Sequence, residues 1–272
     1  MAAESNLREL LAESGVEACC AALYESPAVR WFLGGELHPG GEATTRRSLE
    51  LIELRPGERL LDVGSGDGTS ALLAAREFGC LVAGVDYGAS AVGDAQQAAD
   101  AAGLCDRVGF VVGEAGALPF ADGEFDVVLC ECSLSTFPDK APAVAEMRRV
   151  LRPGGRVAIS DVIGDPGRLP EPLRGKVAML ACVAGALPLS GYRHLLAEHG
   201  LRTLAVEPLD AEAGGLAARL EDRLRFGRIM EKCRANPALC PFGFDEAIAA
   251  VRLARRAIDE RLLGYAIITA AR

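Results

Sequence analysis

The residues best suited to chemistry open with Leu60-Leu61-Asp62-Val63-Gly64-Ser65-Gly66-Asp67-Gly68-Thr69, an apolar run that enters a turn with glycine at alternate positions. Glycines there permit positive φ and let backbone approach a ligand with no Cβ in the way. A dinucleotide fingerprint places its third glycine three residues after the second, whereas Gly68 arrives one residue early and Thr69 follows. The second landmark is Asp86, which closes the apolar run LVAGVD 18 residues after Gly68. A carboxylate at that place can accept both ribose hydroxyls of an adenosine ligand, or cap the helix that begins near Ser90. Glu114 and Ala115 end a third run, and Glu131 ends a fourth inside Cys130-Glu131-Cys132-Ser133. Glu131 either faces a ligand or satisfies backbone donors at a strand end, and His38, in His38-Pro39-Gly40-Gly41, either touches a ligand or caps a turn.

The elements that must position these residues alternate. RLLDVG, LVAGVD, VGFVVG, FDVVLC and RVAISDV are nearly continuous in apolar residues, as parallel strands buried on both faces require. Between them lie helical patterns, SALLAAREFG, about 90–102, and KAPAVAEMRRVL. Repeated strand–helix–strand units give an α/β, doubly wound Rossmann-like sheet with right-handed crossovers, whose ligands bind at the carboxyl edge. Residues 1–55 read as N-terminal helices, with one at about 44–54 ended by Pro56-Gly57. Residues 56–165 form the ligand-binding core, and 166–272 add late strands and helices. In that last part, 166–172 reads as a loop, 173–185 as an apolar helix, 190–199 as a helix, and LRTLAVEPL as a sixth strand. Helices over 211–234 and 244–260 follow, and LGYAIITAA is a final strand. The whole reads as a single domain, its helical insertions (166–200 and 211–262) forming a cap over the carboxyl edge and the apolar stretch 177–189 buried there.

Composition removes other classes. Among 272 residues, 38 acids against 29 Lys and Arg give a formal net charge of -9, which opposes a phosphate-binding face and hence a nucleic-acid partner. The longest apolar stretch, 13 residues at 177–189, is short of the ~20 a membrane-spanning helix needs. The N-terminus MAAESNLREL carries early acids and no secretory core. Nine cysteines without a CxxC pair or zinc spacing therefore read as reduced thiols of a cytoplasmic protein that holds no structural metal. Nothing in the pattern sets an oligomeric state.

LDVGSGDG, then VDYG, GEAGALPFADGEFDVVL and EMRRVLRPGGRVAISDV together resemble the class I S-adenosylmethionine-dependent methyltransferases over about 58–162. The resemblance implies a seventh, antiparallel strand, which LGYAIITAA supplies, and S-adenosyl-L-methionine as cofactor. It implies that Asp62, Gly64, Ser65 and Gly66 lie against the methionine part and that Asp86 binds the ribose beside Tyr87. Glu114, where the family commonly has Asp, and Ala115 lie near the adenine, and Glu131 lies beside the sulfonium.

Methyl transfer needs an aligned acceptor and either a nucleophile already deprotonated or a base. No histidine dyad stands out, since His194 and His199 share one helix. Instead, SDVIGDPGRLPEPLRGKVAMLACVAGALPLSGYRHLLAEHGL resembles the corresponding part of the arsenite methyltransferases, whose cysteine here is Cys182. That resemblance implies a second arsenic-binding cysteine some fifty residues on, for which Cys233 stands 51 residues away (233 − 182) and Cys240 is a rival. An N-terminal Ala-Cys-Cys element is matched by Cys19 and Cys20. Trivalent arsenic is soft and suits thiolates, and its own lone pair can attack a methyl group without a base. Cys132, beside the implied sulfonium, is a further candidate; Cys80, Cys105 and Cys130 fit buried packing thiols. The expected activity is therefore methyl transfer to a small or metalloid acceptor. The alternatives are a small-molecule O-, N- or C-methyltransferase with structural cysteines, and a non-catalytic cofactor-binding module.

Overall fold

A computed structural model of the chain describes residues 31–34, 37–174, 182–183, 185–232 and 243–272. Seven strands form one sheet: β1 (Arg59–Val63), β2 (Leu81–Asp86), β3 (Val108–Val112), β4 (Phe125–Glu131), β5 (Leu151–Gly164), β6 (Arg202–Pro208) and β7 (Leu263–Ala271). Their order is β3-β2-β1-β4-β5-β7-β6. Strands β1 to β5 pair in parallel, and β7 runs antiparallel between β5 and β6. Every residue of β4 is buried, which is why its centre, Val127 to Cys130, is continuously apolar rather than alternating.

Helices α1 (Gly41–Leu51), α2 (Thr69–Leu73), α3 (Ala89–Ala101) and α4 (Lys140–Val150) cover the faces of the parallel part. The first turns of α2 continue into a π-helical segment, Ala74–Phe78. One core layer joins Leu61, Val63, Val128, Val144, Met147 and Ile159; the opposite layer joins Leu49, Leu60, Leu73, Ala99, Val127 and Leu129. Alternate residues of β1 and β4 thus enter opposite layers, as the strand period demands.

Helix α5 (Leu189–Glu198) departs from the expected cap. Its Tyr192 and Leu196 are buried in the same layer as Val144 and Met147, on a face of the sheet, because the sixth strand needs its own cover. Helices α6 (Asp210–Lys232) and α7 (Phe244–Asp259) pack against each other and against β7. The apolar helix expected over 173–185 is not helical where it is described: Leu173 ends a 3-10 turn, Glu171–Leu173, Cys182 and Gly185 lie in turns, and Val183 is in irregular backbone. Most of the remaining segment, the helices expected before residue 31, and Cys19, Cys20, Cys233 and Cys240 lie outside the described residues. Among the described residues, no helix is long and apolar enough to cross a membrane.

Candidate active site

Between β1 and β4 the chain order of the sheet reverses, and at the carboxyl ends of these strands a cleft of about 630 Å3 opens. Open α/β sheets bind ligands at this switch point. Asp62, Gly64, Ser65, Gly66, Asp86, Tyr87, Glu114, Ala115 and Glu131 all line it, as do His38 and Cys132.

The glycine loop is shaped by its neighbours. Gly64 has φ 76, and a Cβ there would stand 2.7 Å from Ser133 Cβ, so neither the dihedral nor the space admits a side chain. The Gly64 and Ser65 amides donate to the Val85 carbonyl at 2.8 and 3.1 Å, which ties the loop to β2. Asp86 closes the circuit: Oδ2 accepts from Gly66 N at 2.8 Å and Oδ1 from Gly88 N at 2.8 Å. It caps no helix, since Gly88 occupies the N-cap of α3. Each Asp86 oxygen retains acceptor capacity toward the cleft.

Asp62 is 2% exposed, and its Oδ2 has no hydrogen-bond partner. Burial pushes its carboxyl well above the usual range, helped by the charges of Glu131, Asp86 and Asp67. Ser65 Oγ is buried and equally unpartnered. A buried polar atom left without a partner costs about 1–3 kcal/mol, so both atoms mark a place for a polar ligand group.

Glu131 sits at the cleft floor in a ring of hydroxyls from two helices, α1 and α2, and strand β5. Thr45 Oγ1 and Ser70 Oγ reach Oε2 at 2.7 and 2.8 Å, and Ser160 Oγ reaches Oε1 at 3.2 Å, with Ser48 Oγ at 3.5 Å. His38 Nε2 stands 3.7 Å from the same carboxylate. None of these hydroxyls was singled out in the sequence; serines and threonines in helix and strand interiors gave no motif to read.

Behind the floor lies a pair of sulfurs. Cys132 Sγ donates to Cys182 Sγ at 3.6 Å, and Cys182 Sγ also donates to the Cys132 carbonyl at 3.4 Å. The separation exceeds a disulfide bond, ~2.05 Å, so these are two thiols in contact. Both residues have positive φ, 50 and 60, unusual for non-glycine backbone. The hydrogen bond to Cys182, together with burial and the charges of Asp161 and Glu131, pushes the Cys132 thiol well above its ordinary range. Asp161, fully buried, is itself pushed up to about 6 by burial, opposed by hydrogen bonds from Ser135 and the Val162 amide and by the Lys140 ammonium. The partners expected for Cys182, namely Cys233 or its rival Cys240 and Cys19 or Cys20, lie outside the described residues; among the described residues the sulfur beside it is that of Cys132, fifty residues earlier. Of the three packing thiols, Cys80 and Cys130 are buried as expected, whereas Cys105 is exposed. Among the described residues no group of three or more His, Cys, Asp or Glu could hold a metal ion.

Residues 54–200 match the family described as a methyltransferase domain. An arsenite methyltransferase of Halobacterium salinarum is 36% identical over 159 residues, covering 58% of this chain and 40% of that protein. Methyltransferase GfsG of Streptomyces halstedii is 32% identical over 206 residues, covering 75% of this chain and 68% of its own length. The chain therefore spans less than half of the first relative and about two thirds of the second. Among solved structures, the [4+2]-cyclase SpnF superposes with a TM-score of 0.74 at 25% identity, covering 92% of both chains. Phosphoethanolamine N-methyltransferase 2 of Haemonchus contortus, solved with S-adenosyl-L-methionine, shares the fold with a TM-score of 0.77 at 21% identity, covering 98% of this chain and 60% of that one. With this strand order, this cleft and a family match across more than half its length, the chain belongs to the methyltransferase-domain family, as a class I S-adenosylmethionine-dependent methyltransferase.

Proposed function

We propose that the protein methylates trivalent arsenic held by Cys132 and Cys182, and the observation that carries this is the 3.6 Å contact of their sulfurs just behind the cleft floor, where Cys132 lines the cleft. The cleft fits S-adenosylmethionine: its glycine loop leaves backbone open to a ligand, and Asp62 Oδ2 and Ser65 Oγ are buried without partners. When bound, this cofactor supplies a methyl group on a positively charged sulfur. Asp62 receives the amino group of the methionine part, and Gly64, Ser65 and Gly66 lie along it. Asp86 accepts the ribose hydroxyls with the acceptor capacity its two backbone amides leave. Tyr87, Glu114 and Ala115 border the adenine. Glu131, fixed by its hydroxyl ring, places negative charge beside the sulfonium.

On the acceptor side the hydrogen bond to Cys182, burial and nearby carboxylates hold the Cys132 thiol well above its ordinary range. Arsenous acid exchanges two of its hydroxyl groups for two Sγ atoms. Each thiol proton leaves with a hydroxide as water, so two As–S bonds form and two waters depart. Soft sulfur ligands suit this centre, and the arsenic lone pair then faces the cleft as the nucleophile, with no base required.

The test is methylarsenical production from arsenite, cofactor and a thiol reductant. Cys132→Ser and Cys182→Ser should each abolish it and leave S-adenosylhomocysteine affinity unchanged, since a hydroxyl keeps the shape but not the softness. A wild-type enzyme that transfers nothing to arsenite, or serine variants that still do, would overturn the acceptor. One observation favours a second reading. His38 beside Glu131 offers a base for a protic oxygen or nitrogen acceptor, and in that case His38→Ala, rather than the cysteine changes, removes activity.

A further inference from the structure

We infer that Gly185 is a positioning residue that sets the spacing of the two sulfurs, an inference that rests on the dithiol reading above. Cys182 itself lies in a turn and Val183 in irregular backbone, so contacts with other parts of the chain must hold its Sγ against Cys132. Two anchors on its C-terminal side do so. The nearer is Gly185, which lies flat on the 3-10 turn Leu134–Thr136 that follows Cys132. The farther is Leu187, which forms an isolated parallel bridge with Ile163 and whose carbonyl accepts from the Gly164 amide at 3.0 Å.

The space at Gly185 is closed by backbone. A Cβ there would overlap the Ser135 carbonyl oxygen and stand 3.1 Å from its carbon and 3.3 Å from Lys140 Nζ. The turn cannot yield, because Ser135 is clamped from both sides. Its amide donates to buried Asp161 Oδ2 at 2.8 Å, and its carbonyl accepts from Lys140 Nζ at 3.2 Å. Lys140 Nζ also donates to the Phe137 carbonyl at 3.0 Å, fixing the exit of the turn. Cys132 is held in turn by its amide on the Ser160 carbonyl at 2.7 Å. Any side chain at position 185 therefore displaces the segment that carries Cys182, while Cys132 stays in place. The 3.6 Å contact is what that displacement breaks.

The experiment compares wild type, Gly185→Ala and Lys140→Gln using phenylarsine oxide, a trivalent arsenical that needs two thiols. S-adenosylhomocysteine affinity reports on the intact fold, and diamide-driven linking of Cys132 to Cys182, mapped by mass spectrometry, reports on sulfur spacing without arsenic. Gly185→Ala should bind S-adenosylhomocysteine as wild type does, yet lose about 10²-fold in phenylarsine oxide affinity, the effective-concentration advantage of a second tethered site. Its Cys132–Cys182 linking should slow in parallel. Lys140→Gln, which unclamps the turn and leaves position 185 untouched, should weaken capture in the same direction and decides the matter if Gly185→Ala does not fold. Equal linking rates and equal capture in all three proteins would overturn the inference. If wild type links its cysteines quickly but does not capture the arsenical, the metalloid reading fails while the spacing argument stands.

Discussion

At the scale of single residues, Asp62 is the group whose surroundings are least settled without a ligand. Its carboxyl is raised by burial and by neighbouring carboxylates, so a proton competes with any cationic group that the carboxylate is proposed to receive. Raising the pH removes that proton and frees the anion, so cofactor affinity should climb with pH through the Asp62 titration. Asp62→Asn should flatten that slope and weaken binding at neutral pH by about 1.5–3 kcal/mol, the range for hydrogen bonds to charged groups. Calorimetric titrations at several pH values check this, and a variant with wild-type affinity and slope would exclude the contact. Asp62, the glycines and Asp86 were legible in the sequence because strand, loop and carboxylate follow one another in register along a short stretch. The Cys132–Cys182 pair was not, because its partners meet only after the segment beyond β5 doubles back beside the end of β4.

Among the elements, strands β1 to β5 and β7 fall where their apolar runs predict, with β7 matching LGYAIITAA residue for residue. The late helices are less predictable, since an amphipathic pattern tells which face is buried but not against what. The α6–α7 pair shows how such helices are held. Glu221 is 2% exposed and receives Arg252 Nε and Arg255 Nη1, each at 2.7 Å, with Arg225 Nη2 at 2.6 Å. The arginines are about half exposed, which screens each pair. Removing the shared carboxylate nevertheless leaves three guanidinium groups facing one another. Glu221→Ala should lower Tm by a few degrees, and added salt should shrink that difference. A thermal melt at low and high ionic strength measures both, and an unchanged Tm would show that the Glu221 cluster does not hold the two helices together.

For the whole molecule, the family assignment makes stability a reporter of ligand identity. A ligand that binds only the folded state at a hundred times its Kd adds about 2.7 kcal/mol to unfolding. S-adenosylmethionine or S-adenosylhomocysteine should therefore raise Tm, while NAD should not, because the third glycine of its fingerprint is displaced. A shift by NAD alone would contradict the reading of the loop.

The junction of β1 with β4 has a consequence in time as well as in space. Strand β1 meets β2 about twenty residues later, but its pairing with β4, Leu60 with Val127 and Asp62 with Leu129, closes a loop of more than sixty. The Arg59 amide on Asp126 Oδ2 at 2.7 Å spans the same interval. Contacts so distant along the chain are slow to form, because the closing entropy precedes any reward. Glu131, Cys132 and Ser133 reach the glycine loop only when β4 lies down beside β1. Recognition of the methyl donor thus waits on a long-range closure, and a chain caught before it carries the loop but no site.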